Sequence, residues 1–303
     1  MNAVGYSSPF VPAEWIAAHG LRPERLRLHP SERLTRGICP YAGALLDAAQ
    51  GSGGWSDIAG LALATTCDQM RYVAAMLGQR GNRPVFLLNV PSTWQTPAAR
   101  QLYLDELRRL GRFLVRLGGK TPSGEELTQV MLAFDRVREE DRANSRGPTA
   151  RDGGGGGIPL AILGGPLLET DCEFFALVER AGGRIVLDAT EHGQRTLPRP
   201  FDLSRLAADP LAELADAYFD AIPDAFQRPD TTLYEWLGRE LAARQVRGII
   251  LHRYLWCDLW HAESQRLKQW SPTPVLELDV GPDDTAAPNR IQGRIEAFLE
   301  ILK

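Results

Sequence analysis

Short apolar runs alternate with longer amphipathic segments from about residue 58 to the end of the chain. The apolar runs lie at 58–65, 84–90, 160–163, 184–187, 248–251 and 275–278. Runs this short favour strands that are buried on both faces of a parallel sheet. The segments between them carry apolar residues at helical spacing, most clearly over about residues 97–117. This alternation in both halves predicts an α/β protein with two parallel-sheet domains.

Ser123 and Glu126 predict the start of a further helix. The two residues precede a segment with apolar residues at helical spacing, and they have the spacing of a capping box. In that motif the serine accepts a hydrogen bond from the backbone three residues on, and the glutamate accepts one from the serine backbone. We therefore expect a helix that begins directly after Ser123.

Five consecutive glycines, residues 153–157, separate the two halves. They carry no side chains to pack, which favours a flexible linker over residues 148–157. A phosphate-binding loop is disfavoured, because such loops space their glycines and open a helix, whereas a predicted strand follows here. We expect an N-terminal α/β domain over residues 1–147 and a C-terminal α/β domain over residues 158–303.

Charge and hydropathy exclude several classes of protein. The 303 residues include 34 Lys and Arg against 38 Asp and Glu, a net charge of −4 without a basic stripe. A nucleic-acid partner is therefore not expected. No apolar run approaches the ~20 residues of a membrane helix, and the first residues lack the basic region and apolar stretch of a signal peptide. We expect a cytoplasmic protein that does not bind membranes.

The four cysteines are too scattered for a disulfide framework, but three stand where parallel sheets bind ligands. Cys67 follows the predicted strand 58–65, Cys257 lies just beyond strand 248–251, and Cys39 lies in a turn before a predicted helix. A helix N-terminus is expected to lower the pKa of each thiol and to favour the metal-binding thiolate. Cys172 stands among apolar residues of a predicted helix, which favours simple burial.

These positions alone leave three interpretations open: buried thiols, a zinc site, or an iron–sulfur cluster between the domains. A zinc site is suggested by His252 and His261, which are close to Cys257 in the sequence. The simpler interpretation is favoured, in which His252 ends a strand and His261 is a solvated helix residue. Gly164, Gly165 and Arg195 lie in predicted strand-end loops and are candidates for a ligand cleft, Arg195 through a phosphate or carboxylate. The sequence has no nucleophile elbow, Walker loop or Rossmann fingerprint, which disfavours hydrolase, ATPase and nicotinamide-dependent functions.

The cysteine contexts together resemble one family. CPYA at 39–42, ATTCDQMR at 64–71 and WCDLW at 256–260 are similar to the three cysteine motifs of the 2-hydroxyacyl-CoA dehydratase and benzoyl-CoA reductase subunits. Similar stretches lie at 103–110, 163–166, 274–278 and 293–300. The resemblance extends from about residue 33 to the C-terminus, and TTCD at 65–68 is its most specific part.

The resemblance implies two flavodoxin-like α/β domains with a single [4Fe–4S] cluster in the cleft, held by Cys39, Cys67 and Cys257. Three protein ligands leave one iron open for a substrate oxygen. The implied substrate is an acyl-CoA, which undergoes radical dehydration or ring reduction. The implied partners are an ATP-hydrolysing iron–sulfur activator and a paralogous subunit in a hetero- or homodimer. The short region 144–158 leaves an alternative, a non-catalytic partner or electron-transfer subunit of such a complex.

Overall fold

The structure is a computed structural model that describes residues 2–31, 37–51, 55–80, 83–146, 156–281 and 287–303. Within these residues the strands form two four-stranded sheets, both entirely parallel. The strands of the first sheet are β1 (Ala3–Tyr6), β2 (Arg22–Arg25), β3 (Ile58–Ala64) and β4 (Val85–Leu88). The strands of the second sheet are β5 (Ile158–Gly164), β6 (Gly183–Ala189), β7 (Gly248–Tyr254) and β8 (Val275–Val280).

The two sheets have the same strand order. The first runs β2-β1-β3-β4 and the second β6-β5-β7-β8. In each sheet the chain starts at an inner strand, adds one strand on one side and then continues on the other side. This order creates a switch point between β1 and β3 and another between β5 and β7, which is the arrangement of flavodoxin-like folds. The prediction of two flavodoxin-like α/β domains is confirmed.

Helices connect the strands and cover the sheets. Those of the first half are α1 (Ala13–Ala18), α2 (Pro40–Gln50), α3 (Asp68–Arg80), α4 (Pro97–Arg116) and α5 (Gly124–Arg146). Those of the second half are α6 (Cys172–Arg180), α7 (Leu203–Ala208), α8 (Pro210–Phe219), α9 (Thr231–Ala243), α10 (Asp258–Trp270) and α11 (Ala287–Ile301). Among the described residues, no helix is both long and apolar enough to cross a membrane.

The predicted elements from residue 58 onward agree with the structure to within a few residues at each end, whereas β1, α1, β2 and α7 were not predicted. β1 is only four residues long, Ala-Val-Gly-Tyr, and gives no apolar run. β2 reads Arg-Pro-Glu-Arg, a polar sequence with an internal proline. It lies at the edge of the sheet, where a strand tolerates proline and needs no apolar face.

The core under the first sheet includes side chains from both halves of the chain. The ring of Phe10 lies edge-on to that of Phe226 with centroids 5.4 Å apart, and Tyr103 stacks on Phe219 at 4.9 Å. The segment that carries α7 and α8 therefore packs on the first half. The predicted division at residues 148–157 stays a prediction, because residues 147–155 lie outside the described part of the chain.

The capping box at the start of α5 is present. The Ser123 backbone N–H donates to Glu126 Oε2 at 2.7 Å, and the Glu126 N–H donates to Ser123 Oγ at 3.2 Å.

We expect Ser123→Ala to lower the free energy of unfolding by about 1 kcal/mol, since a backbone donor at the helix start loses its acceptor. Urea unfolding measures the change. Gln129→Ala, on the exposed side of the same helix, is the control and should stay within about 0.5 kcal/mol. Equal effects of the two substitutions would contradict the capping role.

Candidate functional site

Cys39, Cys67 and Cys257 all line one cavity of about 270 Å³. Cys39 is the N-cap residue of α2, Cys257 is the N-cap residue of α10, and Cys67 directly precedes α3. Cys39 is buried, the other two are partly buried, and none of the three forms a disulfide. The space is much larger than the ~15 Å³ needed for one water molecule.

The sheet topology brings the three thiols together. Cys67 follows β3 at the first switch point, and Cys257 follows β7 at the second. The same cavity is lined by Ser7 beyond β1, Pro166 beyond β5 and Glu191 beyond β6. The carboxyl ends of both sheets therefore face a single cavity, and this is the edge at which parallel sheets bind ligands.

The thiols of the metal-free protein hold their protons strongly. Burial raises the pKa of Cys39 and of Cys67 to about 11 and the pKa of Cys257 to about 12. Hydrogen bonds from backbone N–H groups in the first helical turns act in the opposite direction, as expected at a helix N-terminus, but burial outweighs them. The prediction that the helix starts lower these pKa values is therefore wrong in its net direction, because a sequence pattern does not show how deeply the thiols are buried.

The raised pKa values predict slow, steeply pH-dependent alkylation of the metal-free protein. With a pKa near 11, about one Cys39 or Cys67 thiol in a thousand is ionised at pH 8, whereas an ordinary thiol with a pKa of 8.5 is partly ionised. The rate with iodoacetamide should rise about tenfold per pH unit from pH 8 to 10. Mass spectrometry of the labelled peptides measures each rate. The urea-unfolded chain is the control, and fast labelling of the folded protein at pH 7 would contradict the prediction.

Two buried hydroxyls in the cavity wall have no hydrogen-bond partner among the described residues, Ser7 Oγ and Tyr41 Oη. An unpaired buried polar group is costly, so these atoms fit a cavity that holds a polar or charged group. A hydrogen bond connects the segments that carry Cys39 and Cys67. The Cys39 N–H donates to Oε1 of Gln69, in the first turn of α3, at 3.3 Å. The cavity wall is thus held in place while two of its hydroxyls remain available.

Within the described residues, no group of three or more His, Cys, Asp or Glu side chains is arranged to hold a metal ion. A [4Fe–4S] cluster differs from a single ion, because each cysteine binds a different iron and the sulfur atoms stand farther apart. The three thiols that line the cavity are the type of ligand that such a cluster takes.

The zinc alternative gains no support from the histidines. His252 is buried in β7, where its ring packs on Phe174 and Tyr254 with centroids 5.3 and 5.5 Å away. His261 is exposed on α10. Neither histidine lines the cysteine cavity.

Cys172 is the first residue of α6. Its side chain lies outside the described part of the structure, so its predicted burial stays a prediction.

Aromatic side chains and a carboxyl group complete the cavity. Trp260 is buried, whereas Trp256 is 55% exposed at the rim and has a backbone φ of 72°. A positive φ is unusual for a residue with a large side chain and marks a constrained turn directly before Cys257.

Glu191 is an acidic residue of the cavity wall. Burial and, to a smaller extent, the negative charge of nearby Asp224 raise the pKa of Glu191 to about 7. Glu191 therefore carries a proton on a large fraction of molecules at neutral pH.

Arg195 is fully buried and its guanidinium is bound by protein groups. Its Nε donates to the Ala189 carbonyl at 2.9 Å, Nη1 to the Pro223 carbonyl at 2.8 Å and to Asp224 Oδ2 at 2.7 Å, and Nη2 to the Gly164 carbonyl at 3.1 Å. It does not line the cysteine cavity. The geometry therefore gives Arg195 a role in holding the strand-end loops in place, and contact with a ligand remains only a sequence-based prediction.

Close packing behind the cavity requires glycine at position 164 and leaves little room for a side chain at position 165. A Cβ atom on Gly164 would stand 2.2 Å from the carbonyl oxygen of His252 in the neighbouring strand. A Cβ atom on Gly165 would stand 3.2 Å from Nε1 of Trp260. Gly165 directly precedes Pro166, which lines the cavity. The structure explains them by packing, and their proposed contact with a ligand stays a prediction.

Sequence reasoning missed Ser7, Ser8 and Trp256 as residues of the site. The two serines follow β1, whose short sequence gave no strand signal, so the switch point beside it was invisible. The tryptophan lies inside the third cysteine motif, and its position at the rim depends on a positive φ that the sequence pattern does not indicate.

Comparison with known families agrees with this geometry. A family model described as 2-hydroxyglutaryl-CoA dehydratase, D-component, matches residues 9–143 and 133–302. The chain belongs to this family. The three cysteine motifs lie within the matched residues, as do all the helices and strands from α1 (Ala13–Ala18) onward.

Membership in the D-component family has three consequences. It makes the protein a dehydratase-type enzyme subunit, in an acyl-CoA context. It implies a partner subunit in a dehydratase complex, and it links the chain to iron–sulfur chemistry. The resemblance noted in the cysteine motifs is thereby confirmed at the level of the family.

Other comparisons add less to the D-component assignment. No curated protein matches the chain. Among solved structures, a cadmium-bound periplasmic metal-binding protein from Candidatus Liberibacter asiaticus matches with 10% identity and a TM-score of 0.26 over 100% of both chains. A mutant of the laminin-binding adhesin Lmb from Streptococcus agalactiae matches with 12% identity and a TM-score of 0.25, again over 100% of both chains. Likenesses this weak carry no argument about site or function.

Proposed function

We propose that this protein is the [4Fe–4S] subunit of an ATP-activated acyl-CoA dehydratase or aryl-CoA reductase, with Cys39, Cys67 and Cys257 as the cluster ligands. The observation that carries the proposal is the convergence of these thiols on one cavity at the carboxyl ends of both sheets. Each thiol stands at the start of a different helix, so the three ligands are positioned by separate elements of the fold.

The bound cluster would supply an open iron for a substrate oxygen and a low-potential electron. The protein would contribute the surroundings. Ser7 Oγ and Tyr41 Oη can bond to groups inside the cavity, and Glu191 can hold or release a proton near neutral pH. Trp256 and Trp260 narrow access for water on the side of Cys257.

Two protein partners follow from the proposal. One is a paralogous subunit, in a heterodimer or homodimer, and the other is an iron–sulfur activator that hydrolyses ATP and delivers the electron. The exposed Trp256 lies directly beside the Cys257 ligand. An electron can therefore enter through this rim without crossing the sheets.

The proposal is tested by purifying the full chain without oxygen and measuring iron, sulfide and the electron paramagnetic resonance spectrum after reduction. We expect a brown protein with about four irons and four sulfides per chain and a spectrum typical of a reduced [4Fe–4S] cluster. Zinc analysis of the same sample is the control for the zinc alternative. A colourless protein without iron, even after anaerobic reconstitution, would refute the proposal.

An assay with the partners separates a subunit whose cysteines are needed for turnover from a subunit that only completes the complex. The cluster-containing chain is mixed with the paralogous subunit, activator, ATP, reductant and an acyl-CoA, and product formation is followed. A catalytic role predicts that turnover is lost when this chain's cluster ligands are substituted, while the partner's cluster remains intact. Turnover that requires this chain but not its cysteines would favour the non-catalytic alternative.

A further inference from the structure

Arg253 is a buried cation on the strand that leads to Cys257. It lies in β7, four residues before the cysteine, and its side chain is only 6% exposed. It does not line the cysteine cavity. Burying a charged group is costly unless the group is paired and its hydrogen-bond donors are satisfied. The charge of Arg253 must therefore be balanced by the groups that pack around it.

One edge of the guanidinium is bound by the neighbouring strand. Arg253 and Asp279 are partners in the register of β7 and β8, and the arginine donates to this aspartate from both Nε and Nη2. Nη2 also lies 3.6 Å from Oε2 of Glu277. The other oxygen of Glu277 lies 3.0 Å from Nζ of Lys268 in α10. Strand β8 therefore engages Nε and Nη2 and leaves Nη1 on the opposite edge.

Nη1 of Arg253 is buried and has no hydrogen-bond partner in the described part of the chain. Buried donors are normally paired, because an unpaired donor has lost its water without gaining an acceptor. The guanidinium is planar, so it cannot turn this donor towards Asp279 without releasing the two bonds on its other edge. An acceptor for Nη1 must therefore lie on the side away from β8.

The alternation of side chains along β7 places Arg253 on the face that α10 covers. Ile249 and Leu251 belong to one apolar cluster with Leu267 of α10. Arg253 continues this alternation and lies on the same face of the sheet. Cys257 is the N-cap residue of α10 and packs against the same cluster. The arginine and the cysteine therefore share the space between the end of β7 and the start of α10.

A tight turn keeps Cys257 close to the end of β7. The Cys257 N–H donates to the Tyr254 carbonyl at 3.1 Å. A four-residue turn of this kind brings its first and last Cα atoms to within about 7 Å. Burial acts to lower the pKa of Arg253, but the acids of β8 outweigh it, and an ionised Cys257 raises this pKa further. The thiol is therefore within electrostatic range of the guanidinium.

We propose that Arg253 is a positioning residue for Cys257, and that its free Nη1 donates a hydrogen bond to the Cys257 sulfur when this sulfur is a thiolate ligand of the cluster. The role of the cluster rests on the proposed function, whereas the contact between the two side chains does not. A cationic donor at a ligand sulfur stabilises the reduced cluster, which carries one more negative charge. Arg253 therefore makes the cluster easier to reduce.

Redox titration of the anaerobically purified, cluster-containing chain tests the proposal, with the paramagnetic resonance signal of the reduced state as the readout. We expect Arg253→Gln to lower the equilibrium constant for one-electron reduction about tenfold, a shift of about 59 mV to more negative potential. Glutamine is shorter than arginine and carries no charge. A purely structural role would change stability or iron content and leave the potential unmoved.

Lys268→Gln is the matched control. It removes a cation that contacts the same acidic strand, but Lys268 stands about 16 Å along α10 from Cys257, at about 1.5 Å per residue. Its potential should equal that of the wild type. Arg253→Lys keeps the charge beside Asp279 but lacks a second edge, so it should shift the potential in the same direction by less. It serves as the test if Arg253→Gln does not hold a cluster.

The proposal is overturned if the Arg253 variants that hold a cluster have the wild-type potential. It is also overturned if Lys268→Gln shifts the potential as much as Arg253→Gln does.

Labelling of the metal-free chain tests the contact without iron. At pH 9, iodoacetamide should modify Cys257 about tenfold more slowly in Arg253→Gln than in the wild type, because the guanidinium that stabilises the reacting thiolate is gone. Cys39 and Cys67 of the same sample are internal controls and should keep their rates. Slower labelling of Cys257 in a protein that takes up no iron would refute the proposed function and support the contact. An iron-containing protein with the same potential in Arg253→Gln would do the reverse.

Discussion

Cys39→Ser, Cys67→Ser and Cys257→Ser are each expected to reduce the iron content of the anaerobically purified protein from about four per chain to near zero. A serine hydroxyl is a harder and much less acidic ligand than a thiol, so it binds a cluster iron poorly. Only two thiolates would then remain as protein ligands. Iron analysis and the reduced-state spectrum measure the loss for each variant.

Cys172→Ser is the matched control for these variants. The sequence gives Cys172 no family motif, so this change should leave iron content and spectrum unaltered. Unfolding curves of the metal-free variants check that each chain is folded, since a serine in place of buried Cys39 costs little packing volume. Full iron content in Cys67→Ser, or loss of iron in Cys172→Ser, would refute the ligand assignment.

Arg195→Gln is expected to lower the free energy of unfolding of the metal-free protein by about 3–5 kcal/mol. The substitution leaves the buried Asp224 carboxylate without its ion-pair partner, which was 2.7 Å away. It also removes the donor to the Gly164 carbonyl beside the cavity. Equilibrium unfolding in urea measures the change.

Two further variants separate the role of this ion pair from a general effect of removing arginine. Arg108→Gln breaks an exposed pair with Asp105 and should cost less than about 1 kcal/mol. Adding Asp224→Asn to Arg195→Gln should recover part of the loss, because the isolated carboxylate is then gone. If Arg195→Gln unfolds like the wild type, Arg195 is not held as the structure has it, and its predicted contact with a phosphate or carboxylate ligand becomes the better explanation.

The contrast between Arg195 and Arg253 illustrates what a strand-end motif cannot indicate. Both residues lie near the carboxyl ends of strands, where ligands bind. Arg195 was singled out from its loop, yet the fold surrounds it with acceptors. Arg253 was not singled out, and its Nη1 is left unpaired on the face that α10 covers. Only the packing of distant segments distinguishes the two arginines.

The sequence by itself determined the features that depend on neighbouring residues. These are the alternation of strands and helices after residue 58, the capping box at Ser123, and the position of each cluster-ligand candidate directly before a helix. Apolar spacing, hydrogen bonds over three residues and motif context are all local, so they can be read along the chain. The family, too, follows from local motifs.

The tertiary structure alone decided the features that depend on residues far apart in the sequence. It placed β1 at the centre of its sheet, which brought Ser7 to the cysteine cavity, and it packed α8 of the second half onto the first. It also reversed the expected direction of the thiol pKa shift, because burial among distant segments outweighed the local helix starts. Desolvation and enclosed volume are properties of the assembled fold, and no stretch of sequence contains them.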